Sequence, residues 1–93
     1  MEFIWDDPGD PEGNTAHILS GHPDLKPKFI EEVFTTWSGD ENIFESTRNG
    51  ARFLVLEKTH NEKLYRIVFE KHGKKVKVKT AFRISKRKGG MQP

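Results

Sequence analysis

Hydrophobic residues follow a helical spacing in one segment of the N-terminal half. Five of them recur at positions i, i+1, i+4, i+5 and i+8: Phe29, Ile30, Val33, Phe34 and Trp37. This spacing places all five on one side of a helix. Because Pro27 suits the first turn of a helix and Ser38-Gly39-Asp40 interrupts one, we expect a helix from Pro27 to Trp37.

The segment before this helix contains a short strand and a second helix. Glu2–Trp5 is apolar and reads as an edge strand, and the Pro- and Gly-rich stretch at 6–13 breaks regular structure. Asn14 is a residue type that caps helix N-termini. We therefore predict a short helix over Thr15–Ser20 that ends at Gly21.

The remainder of the chain is typical of strands. Asn49-Gly50 is a tight-turn dipeptide, and the apolar run Phe53-Leu54-Val55-Leu56 suits a strand covered on both faces. The predicted strands are Asn42–Ser46, Ala51–Lys58, Leu64–Glu70 and Lys75–Ile84. This order predicts an α+β fold, in which an N-terminal strand and two helices precede an antiparallel sheet of three or four strands.

The last predicted strand alternates strictly between two kinds of side chain. One set is Val76, Val78, Thr80, Phe82 and Ile84; the other is Lys75, Lys77, Lys79, Ala81 and Arg83. Since successive residues of a strand point to opposite faces, the first set is expected to face the core and the second to form a ladder of cations.

Charge is also divided along the chain, with an acidic first half and a basic second half. Residues 1–47 hold two Lys/Arg and eleven Asp/Glu, a net charge of −9, whereas residues 48–93 hold fourteen and three, a net charge of +11. A pole this basic attracts polyanions such as nucleic acid, and the acidic pole makes binding one-sided. The candidate nucleic-acid-binding residues are Arg52, Lys77, Lys79, Lys86, Arg87 and Lys88. A solvated strand face with lysines for solubility is the alternative.

Composition limits the other classes of function. Ninety-three residues suit a single domain, 1–93, and we expect residues 86–93 to form a basic flexible tail. The absence of cysteine excludes disulfides and thiol chemistry. No apolar run approaches a membrane span, and no leader pattern is present, so we expect a cytoplasmic protein. His17 and His22 are five apart and do not share a helical face. We therefore expect no metal and no cofactor.

Several segments, in their order, resemble the BrnT toxins of bacterial type II toxin–antitoxin systems. They are Phe3-Ile4-Trp5-Asp6; Asn14, His17 and His22; residues 27–34; residues 52–55; residues 65–69; and residues 76–83. The resemblance covers residues 3 to 86. It implies a compact RelE-like fold, cleavage of RNA that inhibits translation, and neutralisation by a ribbon-helix-helix antitoxin. Either His17 or His22 could occupy the family's histidine position, and Arg83 matches its Ala-x-Arg motif.

RNA can be cut without a metal when its 2′-hydroxyl attacks the adjacent phosphate. Such a site needs a base, an acid and cations that stabilise the phosphorane. His22 or His17 could transfer the proton, and Glu57 is a further candidate base. Arg83, Arg66 and Arg52 could hold the phosphate through their planar guanidinium groups.

Two rival functions stay open at this point. A noncatalytic RNA- or DNA-binding module on the same fold predicts salt-sensitive binding without cleavage. A partner-binding protein would use its basic pole to dock an acidic protein. The leading hypothesis is a metal-independent endoribonuclease.

Overall fold

Five strands and two helices make up the fold in the computed structural model of the protein, which describes residues 2–84. The elements are β1 (Glu2–Ile4), α1 (Asn14–Gly21), α2 (Pro27–Thr35), β2 (Asn42–Arg48), β3 (Ala51–His60), β4 (Lys63–His72) and β5 (Lys75–Ile84). The predicted tail at 86–93, with Lys86, Arg87 and Lys88, lies outside the described residues. Neither of the two helices is long and apolar enough to cross a membrane.

All five strands belong to one sheet with the order β1-β5-β4-β3-β2. The four strands β2 to β5 pair antiparallel through short connections, whereas β1, which precedes both helices, pairs parallel with β5. The predicted α+β fold is therefore confirmed. The sheet has one more strand than the predicted range of three or four, because β1 joins it at its far edge.

The core lies between the helices and one face of the sheet, which we call the helix face; the other is the open face. Ile18, Ile30 and Val33 of the helices are each 2% exposed or less. They pack against strand residues that include Leu56, Tyr65, Ile67, Phe69, Val76, Val78 and Ala81. Burial of these apolar side chains is the main stabilising contribution to a domain of this size.

Helix α2 is shorter than its apolar stripe predicted. It ends at Thr35, and Trp37 is 83% exposed instead of packing with Val33. The side chain of Lys58, 1% exposed on the helix face, donates a hydrogen bond to the carbonyl oxygen of Thr36. A buried ammonium at this point holds the C-terminal carbonyls of the helix and directs the chain away from it.

Helix α1 lies beside the free edge of β5, and Asn14 attaches it there. The buried Asn14 amide nitrogen donates to the carbonyl oxygens of Ile4 (3.0 Å) and Val78 (2.8 Å). Asn14 is thus the first residue of the helix and a bridge between strands, whereas Gly13 occupies the N-cap position. The expectation that Asn14 caps the helix was wrong, because the side chain bonds to strand carbonyls instead of to the helix's own amides.

A β-bulge in β5 changes which side chains face the core. Val68 pairs with Thr80 and the next residue, Phe69, pairs with Val78, so the extra residue of β5 reverses the alternation. Ala81 is 2% exposed in the core beside Val78. Thr80, Phe82 and Ile84 consequently lie on the open face with the lysines, and Arg83 lies on the helix side. The strict alternation predicted for Lys75–Ile84 holds only as far as Lys79.

The loop between α2 and β2 depends on a carboxylate. Asp40 accepts hydrogen bonds from the Ser38 hydroxyl (2.5 Å) and from the Thr59 amide (3.1 Å). These bonds, that from Ser38 foremost, lower the pKa of Asp40 from 3.8 to about 2.

We expect acid to weaken the native protein through Asp40. Because its pKa is lower in the folded state, its contribution to stability is complete above pH 3.8 and is lost as pH falls toward about 2. The urea midpoint of Asp40→Asn should therefore fall less than that of the wild type between about pH 4 and pH 2. Glu12→Gln, at another exposed loop position, is the control. Equal losses in Asp40→Asn and the wild type would contradict this assignment.

Candidate nucleic-acid interface

A cavity of about 290 Å³ lies on the open face of the sheet. Its apolar lining comes from all of the antiparallel strands: Phe44, Phe53, Val55, Val68 and Phe82. Its polar lining consists of His17, Ser46, Arg66, Lys79 and Thr80. Apolar walls with a few convergent polar and cationic groups are typical of ligand sites.

Arg66, on β4, contacts side chains of both adjacent strands on this face. It lies directly opposite Glu57 of β3 and Phe82 of β5 in the sheet register. The guanidinium Nε donates to Glu57 Oε2 at 2.5 Å, and its carbon lies 5.8 Å from the centre of the Phe82 ring. Arg66 is therefore fixed by an ion pair on one side and a cation–π contact on the other. Its side chain is still 40% exposed and can meet a ligand.

The two histidines reach the open face from the sheet edge, because α1 lies beside β5 instead of above it. His17 projects from the middle of α1 and lines the cavity. His22 follows the C-terminus of α1, where its amide donates to the Ile18 carbonyl at 2.8 Å, and its ring stacks on Phe82 with the ring centres 6.3 Å apart. One candidate histidine thus lies at the wall of the cavity that Arg66 also lines, and the other lies beside Phe82.

The cation ladder continues from this cavity toward β1. Lys79 lines both the main cavity and a neighbouring one of about 320 Å³, which it shares with Lys77, Asp6 and Glu12. Lys77 Nζ lies 3.8 Å from Asp6 Oδ2, and both side chains are about one-third exposed. The acidic 6–13 segment therefore borders the cationic surface, whereas the charge division along the sequence predicted two separated poles.

Two of the predicted phosphate-binding arginines lie elsewhere. The bulge places Arg83 opposite Tyr65 on the helix side. Burial raises the pKa of Tyr65, and the nearby charge of Arg83 opposes this rise. Arg52 is exposed and its Nη2 donates to Glu45 at 2.9 Å. The predicted grouping of Arg83 with the cation ladder was wrong, because the bulge interrupts the alternation between Val78 and Ala81.

The structure adds aromatic residues that the sequence did not place at this site. Strict alternation assigned Phe82 to the core, and Phe44 belongs to the edge strand β2. The sequence contained one indication that the alternation changes in this strand. Thr80 is a polar residue in the set predicted to face the core, whereas the small apolar Ala81 is in the cationic set. A shift of one position after Val78 removes both conflicts.

The arrangement suits an anionic ligand with an aromatic part. Arg66 and Lys79 supply positive charge, Phe82 and His22 supply flat rings, and Glu57 and His17 supply groups that can exchange a proton. Within residues 2–84, no three His, Cys, Asp or Glu side chains are grouped so that they could hold a metal ion. Comparisons with protein-family models, with curated proteins and with solved structures found no match to this chain.

Proposed function

We propose that the protein is a metal-independent endoribonuclease that binds RNA on the open face of its sheet. The observation that carries this proposal is the convergence of Arg66, Lys79 and His17 on one apolar cavity with Phe82 in its wall. RNA offers both features that such a cavity recognises, namely phosphate for the cations and an unstacked base for the aromatic rings.

The proposed reaction uses the RNA's own 2′-hydroxyl as the nucleophile. A base removes the hydroxyl proton, the oxygen attacks the adjacent phosphorus, and the 5′-oxygen leaves with a proton from an acid. The products are a 2′,3′-cyclic phosphate and a 5′-hydroxyl. Glu57 and His17 are the proposed proton-transfer pair. His22, beside Phe82, is the alternative candidate for the histidine role. Arg66 stabilises the phosphorane charge, and Lys79 holds a neighbouring phosphate.

In the cell we propose that this activity makes the protein a cytoplasmic toxin that inhibits translation. The resemblance of the motif order to that of the BrnT toxins supports this role, and a ribbon-helix-helix antitoxin is the proposed neutralising partner. An antitoxin that blocks catalysis would cover the open face, where the candidate residues are concentrated. A short ribbon-helix-helix reading frame next to the gene would support the assignment.

Cleavage is tested by incubating the purified protein with messenger RNA in EDTA, with and without ribosomes. We expect fragments that end in 2′,3′-cyclic phosphate, which a metal-dependent hydrolysis would not produce. Circular dichroism of the same sample establishes that the protein is folded. Intact RNA in both reactions, from folded protein, would refute the catalytic proposal.

Lys79 should contribute to RNA affinity through its charge. Lys79→Glu is expected to weaken binding of single-stranded RNA and to reduce the slope of log affinity against log salt by about one unit. The matched control is Lys63→Glu, which makes the same change at an exposed position opposite His60 on the helix side. An equal loss in both variants would show that overall charge, and not the open face, governs binding.

One observation favours a noncatalytic RNA-binding module as the second candidate. Glu57, a candidate base, is already engaged in an ion pair with Arg66, which lowers its availability to accept a proton from a ligand. A module of this kind would show the Lys79→Glu effect on binding and no cleavage in the EDTA experiment.

A further inference from the structure

The two edges of the sheet differ in how they are protected. At the β1 edge, a three-residue strand covers the start of β5 and α1 covers the part that follows. At the other edge, β2 runs for seven residues with no described strand or helix beside it. Its Ile43 is 57% exposed on the helix side and its Phe44 is 38% exposed on the open face.

Apart from its charged residues Glu45 and Arg48, strand β2 lacks the features that usually prevent edge strands from associating. Its sequence, Asn-Ile-Phe-Glu-Ser-Thr-Arg, contains no lysine and no proline. It pairs with β3 through all seven residues without a register shift, so no bulge twists it away. An edge of this length, without a bulge and partly apolar, is a template for another strand.

We propose that β2 pairs antiparallel with β2 of a second copy of this chain, with Phe44 opposite Phe44 on the two-fold axis. Side chains directly opposite in such a pair lie on the same face, so the axis passes through a residue. Axes at Ile43, Phe44 or Glu45 are those that place both exposed apolar residues, Ile43 and Phe44, opposite residues of the partner's β2. The Glu45 register puts two glutamates opposite each other, and the Ile43 register puts Glu41 opposite Glu45. Like charges in these positions are destabilising.

The Phe44 register contains no like-charge pair over these residues. It places Phe44 against Phe44, Ile43 against Glu45 and Asn42 against Ser46, and an aromatic cross-strand pair is stabilising. A two-fold axis perpendicular to the sheet keeps both open faces on one side, which gives a continuous ten-stranded sheet. Because Phe44 and Ser46 line the open-face cavity, the two cavities meet at the new interface.

The protein contains no cysteine, so single cysteines report this pairing without background. Phe44→Cys should form a disulfide-linked dimer fastest under mild oxidation, because only opposite residues bring the Cα atoms within disulfide range. Ile43→Cys and Glu45→Cys test the two rejected registers. Trp37→Cys, an exposed position outside the strand, measures random collision. Fastest linkage at 43 or 45, or equal linkage at 37, would overturn the proposal.

Sedimentation of the unmodified protein tests the association directly. We expect a concentration-dependent species with twice the mass of the chain. Phe44→Lys should raise its dissociation constant by roughly tenfold, because two lysines would face each other across the axis. Trp37→Lys, with the same change at an 83% exposed residue, should leave it unaltered. A monomer at every concentration would refute the dimer, whether or not the protein cleaves RNA.

Discussion

Replacing Arg66 with lysine should slow RNA cleavage by about 10²- to 10³-fold, the cost of removing one preorganised donor to a developing oxyanion. Lysine keeps the charge but cannot bond two phosphate oxygens with one planar group. It also cannot keep the geometry of the ion pair with Glu57, which holds the guanidinium beside Phe82. Single-turnover cleavage with saturating protein measures the chemical step apart from binding.

The control for this prediction is Arg52→Lys. Arg52 lies on β3 and, like Arg66, has a carboxylate partner, Glu45 at 2.9 Å, but it is not among the residues that line the cavity. Cleavage by Arg52→Lys should stay close to that of the wild type, and both variants should melt within a few degrees of it. A similar loss of cleavage in both variants would mean that positive charge in general, and not the position of Arg66, supports the reaction.

Lys58→Met should cause the largest loss of stability among single changes outside the apolar core. The ammonium of Lys58 bonds the Thr36 carbonyl and lies 3.5 Å from both the Phe34 carbonyl oxygen and Glu41 Oε2. Methionine fills the same space but leaves these oxygens without their donor. We expect the free energy of unfolding to fall by about 3 kcal/mol, the upper end of the cost of leaving buried acceptors without a charged donor.

For a domain of this length that loss corresponds to a decrease in melting temperature on the order of 10 to 20 °C. Lys71→Met, at an exposed position of β4, provides the control and should melt close to the wild type. An unchanged melting temperature for Lys58→Met would show that the carbonyls of Phe34 and Thr36 find other donors in solution.

Acidic side chains border one end of the cationic surface on the open face. Lys77 and Lys79 lie next to Asp6 and Glu12, so the acidic 6–13 segment limits how far a polyanion can extend toward β1. Toward β2 the face is bounded only by Phe44 and Ser46 of the edge strand. A bound RNA chain is therefore expected to leave the cavity on the β2 side, where the proposed second copy would continue the surface.

The sequence by itself determined the elements and their order. Hydrophobic spacing over 29–37 placed α2, because an amphipathic stripe depends on local periodicity alone. The apolar run at 53–56 and the turn at Asn49-Gly50 placed β3 for the same reason, and their order predicted the α+β class. Arg66, Glu57 and Lys79 were candidate site residues from their types and positions, and the structure places all three on the open face.

Only the tertiary structure decided which side chains meet. The bulge between Val78 and Ala81 follows from the pairing of β5 with β4, and it moved Phe82 to the open face and Arg83 away from it. The position of α1 at the sheet edge, fixed by Asn14 on the Val78 carbonyl, brought His17 to the cavity and His22 beside Phe82. Both outcomes depend on contacts between residues far apart in the chain. Local periodicity carries no information about such contacts, since a shift of one residue in register reverses every side chain beyond it.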